Sequence, residues 1–187
     1  MKRNKFLSYS LKFFTIIQAI PIIGFIAFTL FLGSYLLDPE ALNNFSFSEG
    51  SKIEWVSDTE AALIKNGVSN EMLIRDIEPF VIYIMYLKGI IALVCTWFIL
   101  QEFKKVIKAS LQRQTFRVSN VESFRKMGKY FLVLFLLTSF TFYVVGYKGE
   151  FTLDMDLKFA MLAVASFILA EVFKEGSQLQ EEHQLTV

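Results

Sequence analysis

Lys88 is the only charge between Pro79 and Leu100, and it is the residue in this sequence best placed to do chemistry. A lysine at mid-membrane costs ~2.5–3.5 kcal/mol on insertion scales and usually faces a protein interior or a cavity. There its ammonium can meet an anion, a proton acceptor or a carboxylate. The competing reading is a snorkelling side chain whose charge reaches the outer headgroups. Glu171 borders the apolar run 159–170. It lies toward the inner face, so a pair with Lys88 requires tilt or offset. Other chemistry finds little support. Cys95 is the single cysteine, which excludes an intrachain disulfide and a thiolate metal cluster. His183 is a lone histidine in a polar tail, and Asp154 and Asp156 have no convergent base beside them. No P-loop, nucleophile elbow or His-Glu-x-x-His motif occurs. The expectation is a non-enzymatic protein with no catalytic, cofactor or metal residues.

The elements that position Lys88 are long apolar runs. The chain is 54% hydrophobic with 21 Phe, above the ~45–50% of ordinary soluble domains. Residues 13–37 carry no charge, and at ~1.5 Å per residue they exceed the ~30 Å hydrocarbon core. Pro21 should kink that helix. Further spans are expected over about 79–100, 130–147 and 157–173. The last holds only 12 uncharged residues, 159–170, and needs Lys158 and Glu171 to snorkel at its ends. The fold class is therefore an all-α membrane protein over 1–187, a four-helix transmembrane bundle with a small α+β extracytoplasmic cap.

That cap is residues 38–78, with nine acids and three bases. Apolar and polar residues alternate at 45–47 and 53–56, predicting a hairpin. Ser57 to Glu60 has capping-box spacing for a short helix to about Gly67. Ser69 can cap another helix running toward Pro79. The run 149–153 looks strand-like and is expected to pair with the hairpin. Residues 101–129 are a basic loop, helical to about Gln112. Ser119 to Glu122 repeats the capping-box spacing and starts a helix into the third span.

Orientation follows from Lys and Arg, which concentrate on the cytoplasmic side. The N-terminus, the 101–129 loop and Lys174 together carry thirteen, against four in the two opposite loops. Both termini are thus expected in the cytoplasm, with 174–187 as a cytoplasmic tail. Net charge is +1, and no direct nucleic-acid contact is expected. Bases in the loop set topology and attract anionic headgroups at ~1 kcal/mol each. Gln18, Thr96, Thr138, Ser139, Thr141 and Ser166 read as packing groups within the spans.

The tail run from Leu169 to Val187, with Glu171, Phe173, Gly176, Leu179, Glu181 and Glu182, resembles the closing signature of a bacterial membrane family known as domain of unknown function 2975. Phe116, Asn120, Arg125 and Gly128 in the loop resemble the same family's phenylalanine, asparagine and arginine-x-x-glycine pattern. The resemblance covers about 100–187, and the cap is longer than that family suggests. It implies four spans in a bacterial inner membrane, a cytoplasmic tail and a partner such as a small helix-turn-helix regulator. Phe116, Asn120, Arg125, Gly128, Phe173, Gly176, Leu179, Glu181 and Glu182 then form the candidate partner surface. Beyond the lipid bilayer and such a cytoplasmic protein, a second copy of the chain is the remaining partner class. The alternative function is a small-solute or ion pathway using Lys88.

Overall fold

A computed structural model describes residues 2–185 apart from 39–41, 43, 49–51, 67–71, 75–76, 113–115, 146–147 and 154. The helix set aside for Ser69 begins outside those residues, and Met72–Leu73, farther along, is a strand. In order the elements are α1 (Lys2–Ile17), α2 (Ala19–Leu37), β1 (Phe45–Ser48), β2 (Lys52–Trp55), α3 (Asp58–Lys65), β3 (Met72–Leu73), α4 (Pro79–Leu111), α5 (Val118–Ser139), β4 (Phe140–Val145), β5 (Lys148–Leu153) and α6 (Leu157–Leu185). They form two compact units. One is Met1–Gly24, Ile91–Ser139 and Met155–Val187; the other is Phe25–Ile90 with Phe140–Asp154.

Two helical stretches, Leu7–Leu37 and Pro79–Leu111, are long and apolar enough to cross a membrane. Only 11% and 17% of their apolar windows lie buried in the protein. A core helix of a soluble protein would be mostly covered, so their exposure fits helices of membrane-crossing length. Ile16, Ile20, Ile23, Leu30 and Leu37 are among the side chains left exposed. The first stretch is interrupted at Gln18, three residues before Pro21. The proline ring clashes with the carbonyl four residues back, which is Ile17, so the break falls where the kink is expected.

In the first unit, α5 and α6 pack along each other. Cys95 and Ile99 of α4, Val121, Phe124, Met127 and Leu134 of α5, and Ala170 of α6 form its core. The 33-residue α4 carries its helix past the last uncharged turn to Leu111, close to the expected end. In α6 the helix is likewise unbroken over 29 residues.

The second unit holds the cap residues. β1 pairs antiparallel with β2, from Phe45↔Trp55 to Ser48↔Lys52, and with β3 on its other side. The alternation at 45–47 and 53–56 therefore marks a real hairpin. Ser57 caps α3 in a full capping box: its Oγ accepts from the Glu60 N–H, while the Glu60 carboxylate accepts from the Ser57 N–H at 2.9 Å. Val56, Ile64 and Leu73 pack beneath. A second cluster joins Tyr35 of α2 and Val81 and Ile82 of α4 to Leu42, Ile74 and Ile77.

Two expectations need correction. The run 130–147 is not one helix: α5 stops at Ser139, and 140–145 is strand β4. Phe140 to Val145 is all aromatic or β-branched, a composition that favours strands over helices. Strand β5 pairs with β4, in register Phe140↔Leu153 to Val145↔Lys148, in a separate two-stranded sheet and not with the 45–56 hairpin.

Candidate functional site

The motif residues of the loop and tail converge in the first unit. Arg125 lies one helical turn before Gly128 on α5, so both meet the same flank of α6. The Arg125 Nη2 donates to Glu171 Oε1 at 2.7 Å, and the Lys174 ammonium donates to the other carboxylate oxygen at 3.1 Å. This pair is half-exposed on both sides, where such bonds fix geometry more than they add stability. At Gly128 a Cβ would lie 2.8 Å from the Phe167 ring. Glycine there is what lets the α6 phenylalanine lie against α5. Phe116, just before α5, covers Gly176 so closely that a Cβ would come within 2.3 Å of its ring. Its ring centroid is 5.6 Å from that of Phe173, which in turn lies 4.9 Å from Phe124.

The candidate partner surface thus separates into two sets. Arg125 and Gly128 seat α5 on α6, Phe116 packs against Phe173 and Gly176 of the same helix, and Asn120 is buried. Leu179, Glu181 and Glu182 are exposed on the last turns of α6, with Leu179 61% exposed.

A buried carboxylate that sequence reasoning missed lies beside these motifs. Glu102 is 5% exposed. Its Oε2 accepts from the Ser123 hydroxyl at 2.7 Å and its Oε1 from the Lys105 ammonium at 2.6 Å. An acid inside a basic loop is the only hint the sequence offers, because Ser123 comes from the next helix. Nearby in chain order, Lys104 donates to Gln18 Oε1 at 2.7 Å. The Gln18 amide nitrogen, also buried, has no partner among the described residues.

In the second unit the half-buried Lys88 ammonium donates to the Phe140 carbonyl. It makes no salt bridge among the described residues. Glu171 is held by Arg125 and Lys174, so the two charges singled out from sequence have separate partners. On α4 and α2 the Tyr86 and Thr29 hydroxyls lie 3.1 Å apart. Tyr86 also lines a small apolar pocket with Phe28, Phe31, Leu32, Ile77 and Met85. No group of three or more His, Cys, Asp or Glu able to hold a metal occurs among the described residues.

Long uncovered apolar helices and a motif-built helix junction define the class as a mostly helical protein with membrane-crossing capacity. Residues 48–187 match the family described as "Protein of unknown function (DUF2975)", and the chain belongs to that family. The match reaches well beyond 100–187, taking in β2, α3 and most of the cap segment. No curated protein and no solved structure matches the chain.

Proposed function

We propose that this is a four-span protein of a bacterial cytoplasmic membrane that docks a cytoplasmic protein partner on its 101–129 loop and C-terminal helix. Both termini lie in the cytoplasm, and 38–78 form an extracytoplasmic cap. The distribution of Lys and Arg, thirteen against four, supports that orientation. The third and fourth crossings rest on α5 and on the apolar part of α6, each completed by one strand of the β-ribbon between them.

One observation carries the docking reading. α6 remains helical to Leu185, well beyond its apolar part, with Leu179, Glu181 and Glu182 exposed and the connector before α5 clasped to its base. An apolar residue among acids on a preformed helix suits a partner with a basic rim around an apolar notch. A small helix-turn-helix regulator is the candidate that the family resemblance suggests. Truncation at Ser177 keeps Gly176 beneath Phe116 and removes only the exposed turns. Crosslinking pull-downs from native membranes should recover a cytoplasmic protein with the full chain and lose it with the truncated one. Identical recoveries would refute the docking reading.

Lys88 favours a second reading, a path for a small solute or ion, because it is half-buried in an apolar helix without a carboxylate partner among the described residues. Proteoliposomes of the intact protein should then carry a flux that Lys88→Met abolishes.

A further inference from the structure

We propose that Lys88 and the start of β4 form a water-accessible, anion-attracting recess at mid-membrane depth. The inference rests on the orientation proposed above and is independent of the docking reading. Residues 79 to 88 span nine steps, about 13 Å of helix, and 88 to 100 twelve, about 18 Å, which together match the ~30 Å hydrocarbon core. Lys88 therefore stands near the middle if the charge-free length of α4 defines the bilayer. Its bond to the Phe140 carbonyl brings the start of β4 to the same depth. Chain length on the other side agrees: Lys129, the last base before the run, to Phe140 is eleven steps, about 16 Å. Helix α5 thus ends half-way, and a two-stranded ribbon continues where a helix was expected.

Two features of that ribbon and lysine are incompatible with a lipid surrounding. Each strand of a two-stranded sheet has one edge whose N–H and C=O groups point away from its partner strand. Hydrocarbon offers those groups nothing, so irregular or open-edged backbone persists at membrane depth only inside protein or along a water-filled cavity. The Lys88 ammonium has three N–H donors but makes one hydrogen bond and no ion pair among the described residues. It is also half-buried and points to the ribbon, so it is not reaching for headgroups. Water satisfies both features at once. A cation in such a recess, without a carboxylate to neutralise it, raises the local concentration of small anions. Sulfonate-, carboxylate- or phosphate-sized ligands are the class it would receive.

Cysteine labelling in intact cells tests this, starting from full-length protein with Cys95→Ala as the thiol-free background. Single cysteines go in at Leu63 of the cap, at Val94 on the exposed apolar face of α4, at Lys88 and at Phe140. Two membrane-impermeant methanethiosulfonates serve as probes, one bearing a sulfonate and one a trimethylammonium. Leu63→Cys should label from outside; failure there overturns the orientation, and the recess falls with it. With Leu63→Cys labelled, Lys88→Cys and Phe140→Cys should react while Val94→Cys stays protected. Protection of both recess positions overturns the recess alone. At Phe140→Cys the sulfonate should react faster than the cation. Lys88→Gln keeps a donor for the carbonyl but removes the charge, and should lower that preference at least about threefold. An unchanged preference would show that the lysine does not attract anions there.

Discussion

The two units satisfy their polar groups differently. In the first, two carboxylates are held between elements: Glu102 by a hydroxyl and an ammonium, Glu171 by a guanidinium and an ammonium. In the second, hydrogen bonds run through hairpin ladders, a capping box and a hydroxyl pair, and the one charge within the apolar stretch makes a single hydrogen bond, to a backbone carbonyl, among the described residues. Carboxylates bridged from one helix to the next hold a shape. An incompletely partnered charge marks where something from outside the chain, water included, is expected.

The sharpest way to break this contrast is to attack the helix contact in the first unit. Gly128→Leu forces a branched side chain into space the Phe167 ring occupies, and overpacking of this kind costs about 1–3 kcal/mol or somewhat more. A large fall in the thermal unfolding midpoint of detergent-solubilised protein is expected. Gly176→Ala is the companion. Its blocking ring, Phe116, is 43% exposed and can turn aside into the open, and alanine improves the helix by about 1 kcal/mol. The midpoint should barely move. Equal losses at the two glycines would show that the α5–α6 contact is no tighter than the Phe116 seat.

A smaller loss is expected from Glu102→Ala, which strands the Ser123 hydroxyl and a lysine beside a buried site. Leaving such groups unpaired costs about 1–3 kcal/mol, and the double variant with Ser123→Ala should recover part of it. No recovery in that double-mutant cycle would mean that the carboxylate acts through something other than the serine.

Smallest, and confined to the cap, is Ser57→Ala, a lost N-cap worth about 1 kcal/mol. Its pH dependence has a defined sign. The Ser57 backbone N–H, and then its hydroxyl, hold the Glu60 carboxyl below its ordinary value. A group lowered on folding contributes stability above its unfolded value, ~4.3, and loses it as pH falls through the folded one. The protection of α3 amides against hydrogen exchange, taken relative to the intrinsic rate at each pH, should therefore fall on acidification through that range, less so in Glu60→Gln. Exchange of α3 that ignores both changes would remove the capping box from the cap's stability.

Much of this was legible from local patterns. The hairpin at 45–55 showed in its alternation, α3 in the Ser57–Glu60 spacing and the end of α4 near Gln112 in its charges, whereas α5 starts at Val118 with Ser119 inside the helix, so the capping-box spacing there marks the region of the start but not its cap. The break near Pro21 followed from ring sterics. What stayed hidden depends on partners distant in sequence. Residues 140–145 are as apolar as a span, so hydrophobicity alone extends the helix through them; only pairing with 148–153 makes them a strand. Glu102 looked like one more loop charge until Ser123 closed over it. The glycines of the motifs were visible, but not the phenylalanines that require them.

Because α6 is one unbroken helix, its exposed end is mechanically tied to its apolar part. Glu171, where Arg125 grips it, stands fourteen residues from Leu185, about 21 Å of rod. Rocking the helix ten degrees about that grip would sweep the far end through roughly 4 Å by the same geometry. On the proposed four-span arrangement, thinning or thickening of the bilayer, which tilts crossing helices, would be converted into movement of Leu179 and Glu182 without any bond in between being broken.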